Sequence, residues 1–384
     1  MNKNIFLLRN GLLRFFYKFG LKPILFQIDP EKIHNRVLFC GKKFGKNKFM
    51  KKIIGFLFSY DNKILEQKIL GIKFSNPTGL AAGFDKDGEL IEIIPSVGFG
   101  FHEIGSITGS PCEGNPKPRL WRLKKSKGLV VYYGLKNKGS EEISERIRSY
   151  NFKIPLGTNI ARTNDESTVE LKEGIKDYVK GFDNFKNIGD YFTVNISCPN
   201  TCGGEPFTNP RYLVKLLERL SEIKTKKPVF LKLAPDLTEE TLDSIIKVSR
   251  NYNIDGFICN NLSKKRNYSK IIDKNVPSKG GISGKLAEES ANKTIRYIYS
   301  KTKGEFVIIG CGGIFTAEDA YRKIKSGASL VQLITGMIYE GPQVISEINQ
   351  GLVKLLKKDG YSNISEAIGK DDVNLFKERI VKVV

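Results

Sequence analysis

From about residue 71 onward, short runs of apolar and β-branched residues recur along the chain, each closed by polar or glycine-rich positions and followed by a helical period. The runs are "TGLAAGF" (78–84), "GFHEIG" (100–105), "IPLGTNI" (154–160) and "YFTVNIS" (191–197), then "PVFLKLA" (228–234), "DGFICNN" (255–261), "EFVIIG" (305–310) and "ASLVQLITG" (328–336). Stretches such as "NPRYLVKLLERLSEIKTK" and "TEETLDSIIKVSRNY" between them place apolar residues three and four apart. Such alternation predicts a parallel sheet covered by helices. Eight units in this length fit a (β/α)8 TIM barrel better than an open doubly wound sheet.

The first 65 residues follow a different pattern. Ile5, Leu8, Leu12, Phe15, Phe16 and Phe19 recur at helical spacing, with Asn10, Arg14 and Lys18 on another face. Charges interrupt the stretch too often for a spanning helix, which needs about 20 apolar residues. An amphipathic helix lying in a membrane interface fits it, with Pro23 expected to break it. "QIDPEKIHNRVLF" then predicts a second helix, capped by Asp29 with Pro30 in its first turn. The expected division is a helical extension at 1–65 and a barrel at 66–384.

Charge strengthens that picture. The chain of 384 residues carries a formal +22. The first 52 residues hold thirteen Lys or Arg against Asp29 and Glu31, a net +11 and half the total. A basic excess concentrated on an amphipathic segment favours an anionic surface. Two histidines and six cysteines with no Cys-rich cluster argue against a structural zinc site, and no metal is expected. No small-residue cleavage site follows the apolar segment, so a secretory signal is not expected and the thiols are read as reduced.

Barrel chemistry collects at the carboxyl ends of the strands. Here those ends carry Lys86, Ser106, Asn159, Asn195 with Cys198 and Asn200, Lys232, Asn260 with Asn261, Gly312 with Gly313, and Thr335 with Gly336. "GCGGI" after the seventh run and "ITGM" closing the eighth stand where barrels commonly hold a phosphate on backbone amides. No GxGxxG is present, so a mononucleotide cofactor is expected rather than a dinucleotide.

Together, "GLAAGFDKDGE", "GFGFHEIGSITGSPCEGNPKPRLWRL", "VNISCPNT", "LKLAPDLTEE", "GGISGKL", "IIGCGGI" and "GASLVQLITGMIYEGP" resemble the dihydroorotate dehydrogenases, FMN-dependent barrel enzymes of pyrimidine synthesis. "LFQIDPEKIHNRV" is similar to the amino-terminal extension of their membrane-associated, quinone-using class 2 branch. The resemblance implies that Ala82, Gly83, Lys86, Ser106, Asn159, Asn195, Lys232 and Asn260 hold FMN, and that Gly284, Gly313, Thr335 and Gly336 cradle its phosphate. It implies that Lys86, Asn195, Asn200 and Asn261 bind the dihydroorotate or orotate ring. Cys198 falls at the position of the catalytic base, opposite the flavin that takes the hydride. A thiol works better as a base where neighbouring positive charge lowers its pKa. Arg119 and Arg122 match an arginine pair between flavin and quinone passage, with Arg122 as the quinone contact. The implied setting is peripheral attachment to the cytoplasmic side of a cell membrane, or to the inner mitochondrial membrane in a eukaryote.

The chain departs from the family pattern in three places. Cysteine at 198 is the class 1 choice, where class 2 members place serine. "VYYGLKN" (131–137) puts Val131 where the pattern has an orotate-binding asparagine. "NNL" (260–262) replaces "TNT". A related FMN barrel acting on another dihydropyrimidine or cyclic amide is therefore an alternative. A tRNA dihydrouridine synthase-like enzyme is a third reading, but only about 45 residues follow the eighth run, too few for an RNA-binding domain, and no nucleic-acid partner is expected.

Overall fold

The computed structural model describes residues 3–266 and 271–371. Eight strands close a parallel barrel in chain order: β1 (Thr78–Leu80), β2 (Phe101–Ile107), β3 (Leu156–Ile160), β4 (Tyr191–Asn195), β5 (Val229–Leu233), β6 (Gly256–Cys259), β7 (Val307–Cys311) and β8 (Leu330–Leu333). Each of the eight runs foreseen from the sequence supplies one strand. The closed (β/α)8 barrel with a helical extension is the architecture expected.

The barrel interior is graded along its axis. At the amino end Phe101, Tyr191, Phe230, Ile258, Ile309 and Leu330 form one buried cluster. Phe74, from the hairpin Gln67–Ile69/Ile72–Phe74, joins that cluster and stacks edge-on against Phe101. Glycine makes room for these rings, since a Cβ at Gly157 would collide with Tyr191 and one at Gly79 with Phe101. One step further in, Glu103, Thr193 and Gln332 are fully buried. Near the carboxyl end come Asn159, Asn195, Lys232 and Asn260. Polarity thus rises toward the face where barrels place their chemistry.

A feature with no counterpart in the sequence reading lies beyond the barrel strands. Leu120–Leu123, Gly128–Val131 and Gly281–Gly284 form a three-stranded antiparallel sheet. Two of its strands come from one loop and the third from a loop some 150 residues later in the chain, so periodicity within either segment could not pair them.

The extension comprises α1 (Lys3–Phe15), a π-turn at Phe16–Leu21, α2 (Lys22–Leu25), α3 (Pro30–Gly45) and α4 (Lys48–Phe58). Asp29 caps α3 as foreseen, accepting from Lys32 N at 2.9 Å, with Pro30 in the first turn. The expected break at Pro23 does not occur. The wider π-turn restarts the helix at Lys22, so Pro23 sits in a first turn, where its missing N–H costs nothing. Arg9 ties α1 to α4 through Phe56 O (2.6 Å) and to the body through Ser346 Oγ (2.7 Å), and Tyr17 donates to Ile338 O at 2.6 Å. Among the described residues, large exposed hydrophobics fall almost wholly within 5–56; the others are Leu70, Val169, Tyr212 and Ile272. Phe16, Phe19 and Phe39 are 66%, 72% and 70% exposed. No helix among the described residues is long and apolar enough to cross a membrane.

Candidate active site

A cavity of about 460 Å³ opens at the carboxyl ends of the strands. It takes in Ala82, Gly83, Lys86, Ser106, Asn195, Cys198, Asn200, Lys232, Asn260, Asn261, Gly284, Gly313, Thr335 and Gly336, together with Arg122. Residues from seven of the eight barrel strand ends, all but that of β3, thus meet around one space. Asn159 is the exception: it is fully buried and stands behind Ser106, whose hydroxyl donates to Asn159 Oδ1 at 2.5 Å.

Backbone conformation at the glycines shapes the walls. Gly83, Gly284, Gly312 and Gly313 all have positive φ, from 76° to 115°. Side chains at these four would be strained, and a Cβ on Gly313 would also strike Glu288; at Gly336 space alone is short, since a Cβ there would strike Ile314 O. Gly284 and Thr335 meet where Ser283 and Thr335 hydroxyls lie 2.9 Å apart. Two buried acceptors at the cavity, Asn260 Oδ1 and Gln332 Oε1, have no hydrogen-bond partner among the described residues. Unpaired buried acceptors cost energy unless a ligand donor meets them. They suit a ring system with N–H donors, so the residues present fit a flavin.

The amides of Asn195 and Asn200 at the cavity are held firmly. Asn195 Oδ1 accepts from Asn261 Nδ2 (3.2 Å) and Ser197 Oγ (2.9 Å), while Tyr178 OH anchors Asn195 O at 2.7 Å. Asn200 Nδ2 donates to Val131 O at 2.9 Å, and Asn200 O accepts from Asn115 Nδ2 at 3.0 Å. Lys86 Nζ lies 4.0 Å above the Tyr133 ring. Burial drives the Lys86 ammonium down to about 8. His34, on α3, meets Phe84 O at 2.7 Å and is pushed by burial to about 3, so its ring is neutral at ordinary pH.

Cys198 departs from the electrostatic expectation. Burial pushes its thiol up to about 12; a hydrogen bond at Asn200 and the charge of Lys264 oppose this weakly, and Glu205 adds to it. The positive charge that would have lowered it is not close enough to win. Cys198 also lines a small side pocket with Thr201, Glu205 and Tyr178, on the flank of the main cavity.

The outer part of the cavity is apolar and belongs partly to the extension: Tyr17, Leu21, Phe26, Ile33 and Val37 face Leu120, Leu129 and Ile338. Arg122 stands there, its guanidinium 4.7 Å over Phe26 and its Nη1 donating to Ile28 O at 2.7 Å. Arg119 does not line the cavity. It is buried and turned onto Glu31 of α3, so the arginine pair expected from the sequence is split between two tasks. Sequence reasoning missed Gln332 and Glu103, although each is a polar residue at an inward position of an apolar strand run, and that anomaly was their signal.

A barrel whose carboxyl face holds glycine-shaped walls, amides, lysines and the thiols of Cys198 and Cys311 defines an oxidoreductase site of the flavoenzyme class. The sequence model of dihydroorotate dehydrogenase matches residues 64–356. The chain is 39% identical over 375 residues to the dihydroorotate dehydrogenase (quinone) of Trichodesmium erythraeum, covering 92% of this chain and 98% of that one. It is 40% identical over 364 residues to the protein of the same name from Sulfurovum, covering 93% and 99%. A solved structure of Eimeria tenella DHODH in complex with ferulenol superposes with a TM-score of 0.80 at 30% identity, over 89% of this chain and 96% of that one. The chain belongs to the dihydroorotate dehydrogenase family.

Proposed function

We infer that the protein is an FMN-dependent dihydroorotate dehydrogenase that oxidises (S)-dihydroorotate to orotate and passes the electrons to a membrane quinone. The observation that carries this reading is one continuous cavity with two chemistries. Its inner end has Cys198, Lys86 and four asparagines, and its outer end is an apolar passage walled by the extension. The balance is dihydroorotate plus quinone giving orotate plus quinol, with two electrons and two protons moved.

FMN, when bound, supplies the two-electron acceptor. Ala82, Gly83, Ser106, Lys232 and Asn260 would hold its ring, with Asn159 supporting Ser106 from behind, and Gly284, Gly313, Thr335 and Gly336 would hold its phosphate. Asn195, Asn200 and Asn261 grip the amide edges of the substrate, and the Lys86 ammonium faces its carboxylate. Cys198 Sγ takes the proton from the ring carbon. Because burial favours the thiol, Sγ must first release its own proton to solvent. Arg122 at the apolar end orients the quinone.

Residues 1–65 would act as the quinone-access extension and 66–384 as the catalytic barrel. The exposed phenylalanines and the +11 charge of the first 52 residues support peripheral seating on a membrane. Anaerobic mixing of the FMN-loaded protein with dihydroorotate should bleach the oxidised flavin, and a short-chain quinone should restore it. Protein that stays yellow with dihydroorotate would sink the substrate assignment. Val131 and Leu262, both at the cavity, favour testing other dihydropyrimidines in the same assay.

A further inference from the structure

Glu103, on β2, is fully buried inside the barrel, directly behind the cavity floor. Among the described residues it has no salt-bridge partner. A carboxylate in such a place is costly unless hydrogen bonds replace its water. Four do. Oε1 accepts from Asn159 Nδ2 at 2.8 Å, while Oε2 accepts from Gln332 Nε2 at 2.9 Å and from Tyr191 OH and Thr193 Oγ1, both at 3.2 Å.

An ionised carboxylate accepts and cannot donate, so it dictates which end of each neighbour faces it. Asn159 must turn its NH2 inward, which leaves Oδ1 to accept from Ser106 Oγ at 2.5 Å. With its proton spent there, Ser106 Oγ accepts from Asn195 Nδ2 at 2.8 Å. Asn195 Oδ1 is then free to take Asn261 Nδ2 at 3.2 Å. One direction of donation therefore runs from Asn261 through Asn195, Ser106 and Asn159 to Glu103. Gln332 obeys the same constraint: its NH2 is held by Glu103, and its Oε1 is left buried at the cavity with no partner among the described residues.

We propose that Glu103 is a positioning residue of this site: an ionised carboxylate that sets the polarity of the amide array, so that the cavity floor meets its ligand with acceptor oxygens. The ligand class it selects is a planar heterocycle carrying N–H donors. In its application to FMN this rests on the function proposed above; the ionisation and the polarity of the array do not. The negative charge beneath the ring would also oppose build-up of charge on a reduced flavin, in contrast to Lys232 at the cavity wall.

The test is Glu103→Gln in the full-length FMN-loaded protein. Glutamine offers one donor and one acceptor, so Asn159 and Gln332 can no longer both present NH2 inward, and one must invert. FMN should bind about tenfold to a hundredfold more weakly, as expected for one misdirected buried polar group. Its midpoint potential should rise, because a negative charge has been removed. The double variant Glu103→Gln with Gln332→Glu returns a carboxylate to the cluster from β8, on the other side of β1, and should recover most of the affinity. Wild-type protein that binds FMN, with Glu103→Gln matching it in affinity and potential, would overturn the proposal. Wild-type protein that takes up no FMN would overturn the cofactor reading instead. Neutron diffraction on the wild-type protein decides the ionisation even if the variant fails to fold: no deuteron on Glu103 is expected, and a deuteron there refutes it.

Discussion

Arg119 grips Glu31 through two nitrogens, Nε at 3.1 Å and Nη2 at 2.8 Å, with both side chains more than nine-tenths buried. The two residues are 88 positions apart, one on α3 of the extension and one entering the outer sheet. Arg119 Nη1 also donates to Glu113 O (2.8 Å) and Asn115 O (3.0 Å), and Asn115 in turn holds Asn200 O. The seam of the extension is thus tied to the backbone of Asn200, whose side chain lines the cavity. Removing one partner of such a pair strands the other in a dry place.

Glu31→Ala should therefore destabilise the protein by about 3–5 kcal/mol, the range for breaking a buried pair. Replacing both partners, Glu31→Met with Arg119→Leu, should cost distinctly less than the single change. Urea unfolding of the three proteins tests this. Equal losses in the single and double variants would contradict it.

The raised thiol of Cys198 predicts a pH dependence. A base whose conjugate acid titrates near about 12 is mostly protonated at neutral pH, and its active fraction grows about tenfold per unit below that value. Flavin reduction by dihydroorotate, followed by stopped flow, should accelerate continuously from pH 7 to about 10. A plateau already reached by pH 7 would mean that Cys198 is not the titrating base. Cys198→Ala should keep its flavin and reduce it about 10²–10⁴ times more slowly.

Lys86 predicts an opposing limb. Burial lowers it to about 8, so its positive charge is present below that pH and is lost above it. Orotate affinity should fall as pH rises past about 8, and Lys86→Gln should be weak and flat across the range. Bound carboxylate favours the ammonium form, so orotate binding near pH 8 should take up a proton, visible calorimetrically as a dependence of the heat on buffer ionisation enthalpy. Binding with no proton uptake would place Lys86 away from the carboxylate.

The exposed apolar face of the extension can be tested without disturbing the core. Leu8, Phe16 and Phe19 are 67%, 66% and 72% exposed, so their replacement by serine should leave thermal stability within about 0.5 kcal/mol of wild type. Co-sedimentation with anionic vesicles should drop at least tenfold, as several apolar side chains are lost from the interface. Raised salt should weaken what binding remains. Unchanged vesicle binding in the triple serine variant would remove this face from the membrane.

The sequence by itself determined the elements whose causes are local. Eight inward-facing apolar runs, the glycines after β7 and the Asp29–Pro30 helix start are written in neighbouring residues, because period, cap and turn chemistry act over a few positions. The polar strand ends were legible for the same reason, since a barrel gathers the ends of its strands wherever they lie in the chain. The tertiary structure alone decided what depends on distant partners. It paired Gly281–Gly284 with Gly128–Val131, turned Arg119 from the passage to Glu31, and carried the helix past Pro23 on a π-turn. It also set the charge states: Cys198 rises and Lys86 falls because each has lost its water, and desolvation is a property of the packed whole rather than of any motif.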